Sequence, residues 1–112
     1  MIVENKENYS LLRDEKNDIR SFVSYLKNCI PKDFSNKNLV VDILKYGTLE
    51  LEELLLFLSI SNQHRKQKCS FVLVNDTIMI DRVPEELIVV PTLKEAADVI
   101  QMEEIERDLD AF

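Results

Sequence analysis

Leu39-Val40-Val41-Asp42-Ile43-Leu44 and Ser70-Phe71-Val72-Leu73-Val74 are two short apolar runs in which Asp42 is the single charge. Runs of this length, rich in β-branched residues and bounded by polar loops, read as strands buried on both faces. Between them Tyr46-Gly47-Thr48 turns the chain, and the pattern predicts one helix from about Leu49 to Lys66. A strand, a helix and a second strand in this order predict parallel neighbours joined by a right-handed crossover. The segment such a unit presents is the turn and first helical turn, residues 46–54.

The central helix has two apolar sides. At about 100° per residue, Leu51, Leu54, Leu55 and Leu58 fall on one side. Leu49, Leu56 and Ile60 fall roughly opposite, with Phe57 between them. This predicts one face on the sheet and the other under a neighbouring helix. The far end, His64-Arg65-Lys66-Gln67-Lys68, is cationic and suits the negative end of the helix dipole, with His64 as a solvated partner.

Upstream, Ile2-Val3 and Tyr9-Ser10-Leu11-Leu12 predict two short strands in an antiparallel ribbon at one side of the sheet. Ile19, Phe22, Val23, Leu26 and Ile30 make one helical stripe over 18–30, capped by Asp14 or Asn17 and stopped by Pro31. Residues 32–37 are a polar loop. Downstream, residues 76–86 read as a short helical turn or an irregular cover, and Leu87-Ile88-Val89-Val90 as the last strand, ended by Pro91. Thr92-Leu93-Lys94-Glu95 opens a helix with a capping box. Leu93, Ala96, Ala97 and Ile100 face the domain. Met102, Ile105, Leu109 and Phe112 form a second stripe about 140° away from the first. Either the helix kinks near Gln101 or its tail offers a seam to a partner or a second copy. The whole predicts an α/β fold: one domain over 1–112, a mixed sheet of about five strands with packed helices, and an acidic helical extension over 101–112.

With 112 residues, 46% apolar and 31% charged, the composition is that of an ordinary globular domain. No apolar run approaches the ~18 residues of a membrane span. Met1-Ile2-Val3-Glu4-Asn5-Lys6 carries no export signal, and Cys29 and Cys69 lack metal-site or redox-motif spacing. A cytoplasmic location is expected. The net charge of −7 resides entirely in residues 85–112, which hold nine acidic and two basic side chains. That balance disfavours nucleic acid and favours a protein partner with a basic surface.

Catalytic and cofactor chemistry find little to use. His64 is the one histidine, so a zinc site or a Ser-His-Asp triad has too few ligands or partners, and the His-x-His-x-Asp-His hydrolase motif has no counterpart. Ser59, five residues from His64, does not stack with it at helical spacing. Gly47 is the one glycine, so no Gly-rich phosphate loop exists; its expected role is the tight turn. No enzyme, metal or cofactor is expected. What remains is Thr48-Leu49-Glu50-Leu51-Glu52-Glu53-Leu54, three carboxylates at a helix start, each worth about 0.3–1 kcal/mol against the dipole.

Over roughly residues 9–100 this order of elements resembles the STAS domain (sulphate transporter and anti-sigma-factor antagonist). Val40-Val41-Asp42-Ile43 resembles the strand that precedes the family's Asp-Ser-Ser-Gly-Leu motif. Gln67-Lys68-Cys69-Ser70-Phe71-Val72-Leu73 resembles the next strand, and Ile88 to Ala97 the closing strand and helix. The motif itself departs: Asp falls on Glu50, the two hydroxyl positions on Leu51 and Glu52, Gly on Glu53 and Leu on Leu54. The resemblance therefore implies a non-catalytic protein-interaction domain whose serine-phosphorylation switch is lost, Glu52 standing at the phosphoacceptor. Its partner would dock on Thr48, Glu50, Glu52, Glu53 and Leu56. Met102, Ile105, Leu109 and Phe112 form a second, partner or dimer, seam. The alternatives are a regulatory switch phosphorylated elsewhere, at Thr48, Ser59 or Ser61, and an accessory or dimerisation subunit acting through the C-terminal helix.

Overall fold

Four strands of the structure, a computed structural model, run parallel and one runs against them. Residues 1–77 and 80–110 are described, Ile80 by its backbone alone. Strand β1 (Ile2–Asn5) pairs antiparallel with β2 (Ser10–Arg13), which pairs parallel with β3 (Leu39–Asp42), then β4 (Phe71–Val74) and β5 (Ile88–Val90). Spatial order follows chain order, β1-β2-β3-β4-β5. The α/β class, the mixed five-stranded sheet and the N-terminal ribbon at its edge agree with the sequence. Phe112 of the predicted seam and residues 78–79 of the cover lie outside the described residues. A short 3-10 turn, Ile80–Arg82, stands in the rest of that cover.

Both faces of the sheet are covered, which is why its strands read as continuous apolar runs. Side chains alternate between faces. Leu12, Leu39, Val41, Phe71, Leu73 and Val89 meet the first helical layer. Leu11, Val40, Val72 and Val74 meet Ala96 and Ile100 on the other side. The first layer is α1 (Ile19–Asp33) with α2 (Leu51–Leu55) and α3 (Leu58–Lys66); the second is α4 (Leu93–Asp110) alone.

Three expectations about helix ends change. The cap of α1 is Asp18, whose Oδ1 accepts from the N–H groups of Arg20 and Ser21 at 3.1 and 3.3 Å. Pro31 does not stop the helix. It sits on the exposed side of the last turn, where it withholds one bond from the Lys27 carbonyl. The added turn brings Phe34 into the core, with its N–H on the Ile30 carbonyl at 3.0 Å. At α4, Thr92 Oγ1 accepts from the Glu95 N–H at 3.1 Å, the forward half of the expected capping box.

The single central helix is two helices. Leu56 N–H and Phe57 N–H donate to carbonyls three residues back, Glu53 and Leu54, at 3.3 and 3.0 Å. A tightened turn of this kind stacks side chains at i and i+3. Leu54 and Phe57 therefore fall on one line, fully buried, which continues through Ile60, Ser61 and His64 in α3. Helix α3 lies against β4 and beside α1, the sheet and the neighbouring helix expected of it. Leu51 and Leu55, expected inside, are exposed.

Helix α4 runs unbroken past Gln101. The stripe that faces the domain continues beyond Ile100 with polar residues in place of apolar ones. Glu103 takes two bonds from Arg65, at 2.7 and 3.4 Å. Glu104 accepts from Asn8 at 3.0 Å and from Asn38 at 3.4 Å. Arg107 donates to Ser70 Oγ at 3.3 Å and to Asn38 Oδ1 at 3.2 Å. Among the described residues no helix is long and apolar enough to cross a membrane.

Candidate functional site

The candidate site is built on one glycine. After β3 the chain makes a 3-10 turn, Leu44–Tyr46, started by Asp42 Oδ1 accepting from the Leu44 N–H at 3.0 Å. Gly47 then adopts φ +68° and ψ −132°, a conformation that side chains with a Cβ rarely take. The tight strand-to-helix turn expected of it is present.

That turn is braced from β4. Asn75 follows the strand and is almost fully buried. Its amide donates to the carbonyls of Ile43 and Gly47, at 3.4 and 3.1 Å. Thr77 Oγ1 adds a bond to the Gly47 carbonyl at 3.1 Å. The loop is thus held by side chains as a fixed platform for α2.

Glu50 is the N-cap of α2, with φ −78° and ψ +154°, and its N–H donates to Glu53 Oε1 at 3.1 Å. Glu52 and Glu53 occupy the first helical turn, where a carboxylate meets the positive end of the backbone dipoles. Glu50, Glu52 and Thr48 are exposed and Glu53 is half-buried. None of the three glutamates forms an ion pair among the described residues. Leu56 is half-buried and packs on the core from the rim. Leu51 and Leu55, one helical turn apart, stand 37% and 38% exposed beside the carboxylates. The arrangement is an acidic, leucine-bearing knob on a braced loop, able to make a protein contact without moving.

The other singled-out residues lie elsewhere. His64 is buried, not solvated. Its Nε2 lies 2.6 Å from the Lys37 carbonyl. A carbonyl only accepts, so Nε2 carries the proton. Burial lowers the imidazole's pKa and the Lys37 bond partly opposes this. Ser61 is fully buried and Ser59 exposed, so of the three alternative phosphorylation positions Thr48 and Ser59 are open to an enzyme. Cys29 is buried and Cys69 partly so; neither is bonded to the other, and burial raises both thiol pKa values. Among the described residues no three His, Cys, Asp or Glu side chains converge as metal ligands. Met102, Ile105 and Leu109 point to solvent from α4.

The exposed pair Leu51 and Leu55 and the Asn75–Thr77 brace were not read from the sequence. The break at Leu56–Phe57, which sets the faces of α2, has no proline or glycine to announce it. Compared with protein-family models and with curated proteins, the chain matches none.

Proposed function

We propose that this protein is a non-catalytic protein-interaction module, of the kind the resemblance to anti-sigma-factor antagonists implies, working in the cytoplasm through the α2 knob. The observation that carries the reading is the pair Leu51 and Leu55, held outward at the braced, acidic start of α2. Two leucines supply apolar contact area, and Glu50, Glu52 and Thr48 border them with polar groups that favour a basic partner surface. Glu52, at the position of the family's phosphoacceptor, carries about −1 charge permanently, against about −1.5 to −2 for a phosphoserine. The module is therefore constitutive, a contact with no kinase-driven off state.

Affinity capture from the native cell tests this with three baits: wild type, Leu51→Ser plus Leu55→Ser, and Glu52→Lys. A partner retained by the wild type and lost from both variants supports the reading. Identical partner sets from all three baits refute it. Stoichiometric phosphate on Thr48 or Ser59 that changes capture would replace it with the switch.

A further inference from the structure

The two long sides of α4 differ in chemistry. Its inner side is committed to the domain through Ala96, Ile100, Glu103, Glu104 and Arg107. Its outer side carries Met102, Ile105 and Leu109 at 62%, 53% and 66% exposure. Spacings of three and four residues place them in one strip along the helix. Single exposed apolar side chains are ordinary, but three in a row on a helix anchored along its other side form a contiguous patch. The anchoring also keeps the strip straight, so a partner meets a preformed surface.

Charge selects the occupant. Glu95 and Asp98 lie in line with the strip on the preceding turns, and Glu106, Asp108 and Asp110 border it. The helix has two cations: Lys94 in its first turn, and Arg107, which is engaged on the inner side with Ser70 and Asn38. A second copy would set these carboxylates against their own kind. An anionic membrane surface repels the same charges.

We propose that the outer side of α4 is a docking strip for a cationic amphipathic helix of a partner protein, whose apolar residues repeat every three or four positions between lysines or arginines. Such a helix covers Met102, Ile105 and Leu109 and sets its cations against Glu106, Asp108 and Asp98, as flanking charges do in paired helices. This surface lies on the opposite layer from the α2 knob and stands or falls separately.

The test uses a labelled three-heptad peptide with leucine at a and d and lysine at e and g, and a counterpart with glutamate at e and g. Fluorescence anisotropy with the full chain is expected to give saturable one-to-one binding of the lysine peptide alone. Replacing Met102, Ile105 and Leu109 together by serine is expected to weaken it roughly tenfold or more, equivalent to about 1.4 kcal/mol. Glu106→Lys plus Asp108→Lys weakens it too. All five positions are exposed, and circular dichroism checks that the helix persists; Ile105→Arg serves as the milder second variant. Equal binding by wild type, the serine variant and Ile105→Arg would show non-specific charge attraction and overturn the proposal. So would loss of binding in Leu51→Ser plus Leu55→Ser alone, a wild-type dimer in light scattering that the serine variant converts to monomer, or vesicle binding that the serine variant abolishes.

Discussion

The guanidinium of Arg65, at the end of α3, holds the carboxylate of Glu103, in the middle of α4, across the end of the sheet that separates their two layers. The nearer bond is 2.7 Å, and both side chains are largely shielded. This is a clasp between the two layers. Its neighbours are Arg107 with Ser70 and Glu104 with Asn8 and Asn38.

Breaking the clasp is expected to destabilise the protein in a pH-dependent way. Burial pushes the Glu103 carboxyl upward, but the bond and charge of Arg65 prevail and hold it below its ordinary value near 4.5. A depressed carboxylate adds stability above its unfolded pKa and loses it as pH falls through the folded one. Glu103→Gln should cost about 1–2 kcal/mol at pH 7. The gap between wild type and variant in urea midpoints should close below about pH 4. A constant gap from pH 7 to pH 3 would remove the electrostatic account of the clasp.

His64 should make a second pH effect at milder acidity. The buried imidazole is neutral in the folded state, while the unfolded chain takes up a proton near the ordinary value of 6.5. Unfolded protein then binds more protons, so stability is full above about pH 6.5 and declines as pH falls toward the lowered folded pKa. Urea midpoints between pH 7.5 and 5 measure this, and His64→Leu should flatten the curve over that range. As the one histidine, His64 also gives an unambiguous imidazole signal by NMR, expected to titrate below 6.5.

Gly47 and Asn75 should be separable by cost. A Cβ on Gly47 would meet nothing within 4 Å, so Gly47→Ala tests backbone conformation alone, at about 1–3 kcal/mol. Asn75→Ala removes the side-chain bonds to the Ile43 and Gly47 carbonyls and leaves Thr77 Oγ1 as the side-chain donor to Gly47, again at about 1–3 kcal/mol. Both should lower the thermal midpoint. The α2 contact should suffer in both if the platform argument holds, which repeated affinity capture would register.

Adjacent leucines offer the sharpest check on the broken central helix. Leu54 is fully buried and Leu55 is 38% exposed. Leu54→Ala should cost about 2–5 kcal/mol and Phe57→Ala about 3–5, while Leu55→Ala stays under about 1. Denaturant unfolding of the three variants decides it. A continuous helix with two buried sides would make Leu55→Ala costly as well.

Strand positions were legible because burial on both faces leaves little room for polar residues: Leu39 to Asp42 and Phe71 to Val74 are buried throughout, and the one charge among them, Asp42, is paired with Arg13. The stripe of α1 was legible for the complementary reason, one wet side and one dry. The central helix was harder, because an apolar helix by itself does not say which side is inside. The tight turn at Leu56–Phe57, set by packing rather than by a breaking residue, decided that Leu51 and Leu55 face solvent. His64 shows a second limit. In sequence it stands in a cationic run, but the Lys37 carbonyl and Phe71 give it a buried place that nothing nearby in the chain announces. Beyond Ile100 the inner side of α4 turns polar, and only the long-range partners Arg65, Asn38 and Ser70 explain why. At the candidate site, the exposed carboxylates Glu50 and Glu52 stand where the helix start was expected; their brace, Asn75, lies 28 residues from Gly47.

Chain order and spatial order coincide across the five strands, and the helix that shields the second face comes after all of them. During synthesis the sheet is completed with Leu11, Val40, Val72 and Val74 still bare to solvent. Helix α4 is the seal of that face. Any truncation or delay there leaves an adhesive sheet rather than a shortened but serviceable molecule.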